Sequence, residues 1–383
     1  MAGLLLALIM VVMVMVSELR ASKVLVVYSG PTTLDCASKN AMQHHTNFLW
    51  FLNHGLPSPA AASQEEDGEE EDNGDGGEVM VVVVVLTPSV RSHYSVLLDH
   101  FQARHGQYQL RILERRDRCS DMESYRLALA TLNDTHDKHR DSGGDGGVGG
   151  GHRFIRGSLA GFDYFVFVNC GVVGPLLPRR RALHVHMPGR PTARPHVHLY
   201  WPALFTQHLS TTVRLVGLSL HCGGKHGRRQ AHVQSMLWAT DRVGLAAILR
   251  SGALHDCGQR EGRPLSRVAR SRLINRYELG LSLAVMTEGH AIAAPLNALQ
   301  DSLVYTLANA TAAPFHRQCR DIWAPGLETA ADPSDMVFWK ASRTRPLVLR
   351  QRMREAADRA GAPLDDPHNP CSSIDSSGRG IID

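Results

Sequence analysis

The sequence predicts an α/β fold: a Rossmann-like, mostly parallel sheet flanked by helices, in a single domain interrupted by disordered insertions. Three observations carry that expectation. Continuous apolar runs such as Val79–Leu86 suit strands covered on both faces. Stretches with helical spacing separate those runs, so the order reads β, α, β, α, β, α, β. Hydrophobic residues make up 43% and charged residues 20% of a chain of 383 residues, an ordinary globular balance with enough length for a large core.

Residues 23–28 read as the first strand, β-branched and ended by Ser29-Gly30-Pro31. Residues 36–54 follow as a helix carrying Ala41, Phe48, Leu49 and Leu52, stopped by Gly55-Leu-Pro57. Val79–Leu86 is the second strand. Residues 92–105 predict a helix with Val96, Leu97 and Phe101 on one side. Residues 108–113 predict a third strand, 121–132 a third helix and 162–169 a fourth strand. Further on, residues 213–220 read as a strand, 239–250 as a helix with Val243, Leu245, Ala246 and Leu249 mostly inward, and 265–286 as a helical zone. Acidic or Gly-rich stretches near 57–78 and 134–157, and an Arg-, His- and Pro-rich one near 178–195, read as insertions without a core pattern. One domain over 23–345 and a polar tail over 346–383 complete the division. In such sheets ligands lie beyond the carboxyl ends of the strands. Those ends are Ser29-Gly30, Thr87 and Asn169-Cys170-Gly171.

The apolar run 4–16 is shorter than the roughly 20 residues of a spanning helix. It fits a signal-peptide core or a short anchor over residues 1–22, so membrane attachment through the N-terminus stands beside cleavage. The endoplasmic reticulum or Golgi lumen, or secretion, is the expected location. Two sequons, Asn133-Asp-Thr and Asn309-Ala-Thr, agree with it. The seven cysteines form no CxxC pair, against zinc-ribbon and thioredoxin classes, and their odd number leaves at least one outside any internal disulfide. A net charge of +4 and 6% aromatics exclude the basic, aromatic stripe of a nucleic-acid protein. The Gly-rich stretch lacks GxxxxGK[ST], and no G-x-S-x-G elbow follows a strand, against a P-loop and an α/β hydrolase.

The middle of the chain carries an ordered set of blocks. Phe162-Asp-Tyr-Phe-Val-Phe-Val-Asn169 is followed by Gly174-Pro-Leu-Leu-Pro178, Trp201, Phe205 and Val213-Arg-Leu-Val-Gly-Leu-Ser219 with Cys222. Then come His232-Val-Gln-Ser-Met-Leu-Trp-Ala-Thr-Asp-Arg-Val-Gly244, Glu278-Leu-Gly-Leu-Ser282, and Asp332-Pro-Ser-Asp-Met-Val-Phe-Trp-Lys340 with Arg343. With Val26-Val-Tyr-Ser-Gly-Pro31, Asn47 and Phe51-Leu-Asn-His-Gly55, this order resembles a family of glycosyltransferase-like proteins, over roughly residues 23–345. The resemblance implies a GT-A-like fold, a nucleotide-sugar donor, and transfer of the sugar to a glycan or glycoprotein acceptor.

Such transfer needs the leaving diphosphate neutralised and a base for the acceptor hydroxyl. Metal-using members of the fold place Asp-x-Asp at the end of the fourth strand. Here that end reads Val168-Asn169-Cys170-Gly171, without the carboxylates, so a divalent metal is compatible with the fold but has no motif, and no cofactor is identified. Ser29 and Asn169 are candidates for donor binding, Asn169 alternatively being a turn former. Arg242 and Lys340 are candidate counter-charges. Asp241 and Glu278 are the candidate bases, each with a second role open: Asp241 complementing a helix dipole, Glu278 capping a helix. His232 and Gln234, two apart, share one face of a strand and could contact a sugar. His184-x-His186 and His196-x-His198 have metal-like spacing but no carboxylate or thiolate partner nearby, so no metal site is assigned. The alternative to an enzyme is a catalytically silent relative that binds glycan or protein.

Overall fold

A computed structural model of the chain describes residues 22–34, 39–56, 79–105, 109–116, 121–137, 158–176, 201–221, 231–254, 274–294, 303–306 and 337–340, with 351 and 355. The N-terminal run, both sequon threonines, the paired histidines of 184–198, Arg343 and six of the cysteines lie outside the fully described residues; Cys170 is buried and not in a disulfide. No helix among the described residues is long and apolar enough to cross a membrane.

The first half of the chain alternates as its apolar runs require. Strand β1 (Lys23–Ser29) leads to helix α1 (Lys39–His54), then β2 (Val79–Leu86), the short α2 (Pro88–His93), α3 (Ser95–His105), β3 (Leu110–Glu114), α4 (Asp121–Asp137) and β4 (Tyr164–Asn169). The second half adds β5 (Val172–Val173), α5 (Ala203–Thr206), β6 (Val213–Gly217), the hairpin pair β7 (Leu220–His221) and β8 (His232–Val233), and β9 (Leu237–Asp241). It ends with α6 (Arg242–Ser251), α7 (Leu279–Thr287), β10 (Ala291–Ala294), β11 (Leu303–Tyr305) and β12 (Trp339–Lys340).

The central sheet has eight strands in the order β11-β10-β6-β9-β4-β1-β2-β3. Strands β1 to β4, β6 and β10 share one direction; β9 and β11 oppose them. The fold is therefore the α/β, Rossmann-like, mostly parallel class that the sequence predicts. Its valine runs are explained by burial on two faces: Val82, Val84 and Leu86 face one apolar cluster, Val83 and Val85 the other. The first cluster is closed by α1, α2, α3 and α5, the second by α4, α6 and α7.

Two predicted helices differ in detail. The expected helix 92–105 is two helices meeting at Tyr94, and its buried stripe is Tyr94, Leu98, Phe101 and His105, while Val96 is 78% exposed. Thr87-Pro88 sets the earlier start, since Pro is accommodated in a first helical turn. The expected helix 239–250 begins as strand: β9 runs to Asp241 and only then does α6 start, with Gly244, Leu245, Ala247 and Ile248 inward and Val243 41% exposed. A short apolar run such as Leu237-Trp-Ala-Thr has no period long enough to separate strand from helix. Gly244 is the hinge of that junction. A Cβ there would stand 2.3 Å from the Arg214 carbonyl oxygen, so only glycine lets α6 start this close to β6.

Strand β9 is held by aromatic packing. Phe167 and Trp238 are cross-strand partners, fully buried, with ring centroids 3.9 Å apart at 19°, and Tyr125 of α4 meets both edge-on. Trp238→Ala is expected to cost about 3–5 kcal/mol. Urea unfolding should show this as a lowered midpoint with an unchanged slope; a midpoint close to that of the parent would contradict the central place of this stack.

Candidate functional site

Strand order places a crevice between β1 and β4. The chain moves from β1 to β2 and β3 on one side, and the connection after α4 returns to β4 on the other. Such a reversal opens a gap at the carboxyl ends, where open α/β sheets bind ligands. The two strand ends there are Ser29 and Asn169, which are register partners. Both side chains lie on the α4 face, because Leu25, Val27, Phe165 and Phe167, two and four residues back, belong to the cluster under α4.

Asp121, in the first turn of α4, joins them. Asn169 Nδ2 donates to Asp121 Oδ2 at 2.7 Å, and Ser29 Oγ donates to Asp121 Oδ1 at 3.2 Å. Ser124, one turn on along the same helix face, lies 2.9 Å from Ser29 Oγ and is fully buried, as is Ser29. With the Ser29 proton directed at Asp121, Ser124 donates to Ser29. Asn169 Oδ1 accepts from Gly171 N at 2.9 Å, so the turn after β4 is an Asx turn and the turn-forming alternative for Asn169 is realised. Burial, then the Asp121 charge, raises the pKa of the Cys170 thiol well above its usual range.

Opposite this network stands the start of β9. Asn169 N donates to the Met236 carbonyl at 3.0 Å, which brings Ser235 and Gln234 to the same rim. Gln234 bonds Ser219 twice: its N–H reaches the Ser219 carbonyl at 3.0 Å, and its Oε1 accepts from Ser219 Oγ at 2.7 Å. Ser235 Oγ donates to Glu278 Oε1 at 2.9 Å. Glu278 sits at the N-cap position of α7 with helical backbone angles and makes no cap hydrogen bond, so its carboxylate serves Ser235 rather than the helix end. It closes a π-helical turn over Ile274–Glu278. His232 is buried in β8 across from His221, with ring centroids 5.2 Å apart. Lys340 of β12 pairs with Val172 of β5, three residues past Asn169. Leu176 N bonds the Val337 carbonyl at 2.7 Å and anchors that late segment to the rim.

Asp241 and Arg242 are not brought to this rim. Asn169 and Asp241, candidates for one site by sequence, stand at opposite ends of β4, because β9 runs antiparallel to β4 and pairs Asp241 with Tyr164 at the amino end. The length of β4, roughly 16 Å at ~3.3 Å per residue, separates the two. Asp241 Oδ1 caps α6 by accepting from Gly244 N at 2.9 Å, and its other oxygen takes an ion pair from Arg214. The dipole-complementing role is thus the one its geometry serves. Arg242 donates to the Phe162 carbonyl at 2.6 Å and to Asp163 Oδ1 at 2.9 Å, tying α6 to the entry of β4. Asp121, Ser124 and Ser235 were missed as site residues. Asp121 is recognisable in sequence only as an acid opening a helix.

The loop after β1 is clamped from behind. Thr87 Oγ1 donates to the Thr32 carbonyl at 3.1 Å. His45 Nε2 lies 2.8 Å from the Thr33 carbonyl, which can only accept, so Nε2 carries the proton and Nδ1 accepts from the Tyr94 hydroxyl at 2.8 Å. Burial lowers the pKa of His45.

The resemblance carries the expectation of two carboxylates at the end of the fourth strand in metal-using relatives. Asp121 is the carboxylate that meets Asn169, and it already accepts two hydrogen bonds. Among the described residues no group of three or more His, Cys, Asp or Glu side chains is placed to hold a metal ion. The donors do not fit a two-carboxylate metal centre.

No family model and no curated protein matches the chain. Among solved structures, one matching chain, described as a glucose-1-phosphate thymidylyltransferase from Bacillus anthracis in complex with a sucrose, is 8% identical and covers 78% of this chain and 94% of its own, with a TM-score of 0.27. A likeness at that level carries nothing about the site or its chemistry.

The clamp titrates. The folded-state pKa of His45 lies below the unfolded value of ~6.5, so the unfolded chain binds protons first as pH falls. Its contribution is complete above about pH 6.5 and declines toward the folded-state pKa. Urea midpoints are expected to drop between pH 7 and pH 5, with a shallower drop in His45→Gln; His44, His105 and His208, whose pKa values are also lowered by burial, supply the remainder. Identical pH profiles for parent and variant would remove His45 from this account. Asp241→Ala is expected to lower stability by about 1–2 kcal/mol through the lost cap, with ligand binding at the carboxyl rim unchanged; a specific loss of binding at unchanged stability would contradict the separation of the two ends.

Proposed function

We propose that the chain binds a nucleotide-diphosphate sugar in the crevice between β1 and β4 and transfers the sugar to a hydroxyl of a glycan or glycoprotein in the endoplasmic reticulum or Golgi lumen. The observation that carries this reading is the partly buried Ser29–Asp121–Asn169 network at the point where strand order reverses. The motif resemblance supplies the class of reaction. In net terms the acceptor oxygen bonds to the anomeric carbon and its proton goes to a base. The bond from that carbon to the diphosphate oxygen breaks, its electron pair leaving with the nucleoside diphosphate. Glu278 is the base in this reading, one carboxylate oxygen held by Ser235 and placed on the rim by the Asn169–Met236 bond. Lys340, beside the turn that follows Asn169, is the counter-charge for the departing diphosphate. Gln234 and His232 line the acceptor side.

A second reading has its own observation. Both ends of the Asn169 amide are engaged within the protein, Nδ2 by Asp121 and Oδ1 by Gly171, so Asn169 shapes the rim rather than offering free groups to a donor. A catalytically silent binding protein would be built the same way.

A thermal-shift panel of UDP-, GDP- and CMP-sugars, with and without Mn²⁺, separates the two. A cognate donor at roughly 100 times its Kd stabilises by about 2.7 kcal/mol, a shift of several degrees. One nucleotide class should shift the melting temperature, and Glu278→Gln should keep that shift while losing turnover. No shift with any nucleotide in folded protein would sink the transferase reading; full turnover in Glu278→Gln would remove the base.

A further inference from the structure

The geometry points to Asp121 as the group that reads the ribose of the bound nucleotide, by accepting hydrogen bonds from its vicinal hydroxyls. This rests on the nucleotide reading above and gives it a subsite. A carboxylate only accepts, and its two oxygens offer about four lone-pair positions. Ser29 takes one on Oδ1 and Asn169 one on Oδ2, leaving one on each oxygen of a side chain that is only partly buried. Two remaining acceptor positions, one per oxygen, match the two donors of a vicinal diol.

The Asp121 charge disfavours the other half of the nucleotide at this carboxylate. Asp121 and Glu123 both lie in the first turn of α4, where they already answer the positive end of the helix dipole. A diphosphate would meet the Asp121 carboxylate there, since Glu123 faces another side of the helix and pairs with Arg126, whereas Lys340 lies on the far side of the Asn169 turn. A neutral diol against Asp121 with the diphosphate toward Lys340 is the orientation that avoids repulsion. A cation is the poorer occupant, because one carboxylate already accepting from two neutral donors lacks the second anionic ligand that a divalent ion draws on.

A second, independent feature points the same way. Tyr125 follows Asp121 by one turn on the same face, is fully buried, and its hydroxyl has no hydrogen-bond partner among the described residues. Its pKa is raised by burial and then by the Asp121 charge, which sets this hydroxyl in the neighbourhood of that carboxylate. Leaving it unpartnered is costly, and a sugar hydroxyl entering beside Asp121 is the donor or acceptor that would relieve the cost.

Calorimetric titration of the full chain with UDP, GDP and CDP against their 2′-deoxy counterparts tests this. The nucleotide that binds is expected to weaken about tenfold or more on loss of the 2′-hydroxyl, the scale of one hydrogen bond to a charged group. In folded Asp121→Asn, checked by its melting curve, both forms should bind with equal, reduced affinity. Equal ribo and deoxy affinities in the parent protein would overturn the assignment while leaving nucleotide binding intact, and that comparison needs no variant. Discrimination that survives in folded Asp121→Asn, or that exists only with Mn²⁺ present, would overturn it as well. Binding of no nucleotide at all would overturn both this assignment and the reading beneath it.

Discussion

Strand β9 runs against both of its neighbours, and that single reversal decides where the second half of the chain can place its polar groups. Its pairing with β4 fixes Leu237 opposite Val168 and Asp241 opposite Tyr164. The residues just before it, Gln234 and Ser235, therefore land at the carboxyl rim, and the residues at its end land at the amino edge. The Phe167–Trp238 stack and the Tyr125 edge contacts lock this register, because a slip by one residue would turn Trp238 into the opposite apolar cluster, where Ala239 now packs, and Ala239 into its place. A contiguous sequence block is in this way divided between two jobs. Its first part shapes the rim, and its last part caps α6 and anchors β4 through Asp241 and Arg242.

On the other side of the crevice the constraint comes from α4. Ser29 and Ser124 are fully buried, and Asn169 is nearly so, deep enough that each polar atom must find a partner. Asp121 satisfies two of them at once and so ties a helix to two parallel strands that share no polar contact through their side chains otherwise described. The cost of ordering these groups is met by a network in which every Ser29 and Asn169 side-chain heteroatom is engaged. The loop beyond Ser29 is fixed separately, by Thr87 and by the His45 tautomer that Thr33 imposes. The rim is therefore prearranged on rigid elements, with binding geometry set by strand ends and a helix start.

What was readable from sequence follows the physics of each signal. The parallel half of the sheet was legible because strands covered on both faces must be continuously apolar, as in Val79–Leu86, and because Gly and Pro punctuate them. The α/β class, and the rim at Ser29 and Asn169, followed directly. Strand β9 was not legible, since five residues of mixed size carry no decisive period, and reading its end as a helix start kept Asp241 and Arg242 with the rest of the His232–Gly244 block on the rim of Asn169. Direction within a sheet is a property of pairing, which a single strand's residues do not encode. Asp121 was hidden for the related reason that an acid in a first helical turn is ordinary; only the fold shows that this turn lies over Ser29 and Asn169.

Asn169 can be understood from the same contact. Its amide nitrogen lies 2.7 Å from Asp121 Oδ2. Were the strand end an aspartate, two carboxylates would face each other at hydrogen-bond distance, a pair that holds together only by sharing a proton or a cation. The amide replaces that requirement with a donor of its own: Nδ2 supplies the positive end toward Asp121, and Oδ1 turns back to close the Gly171 turn. The amide at the end of β4 and Asp121 at the start of α4 are thus two halves of one arrangement. It leaves the Asp121 charge half-satisfied by neutral donors. A carboxylate of this kind favours ligands that bring hydroxyl donors to it.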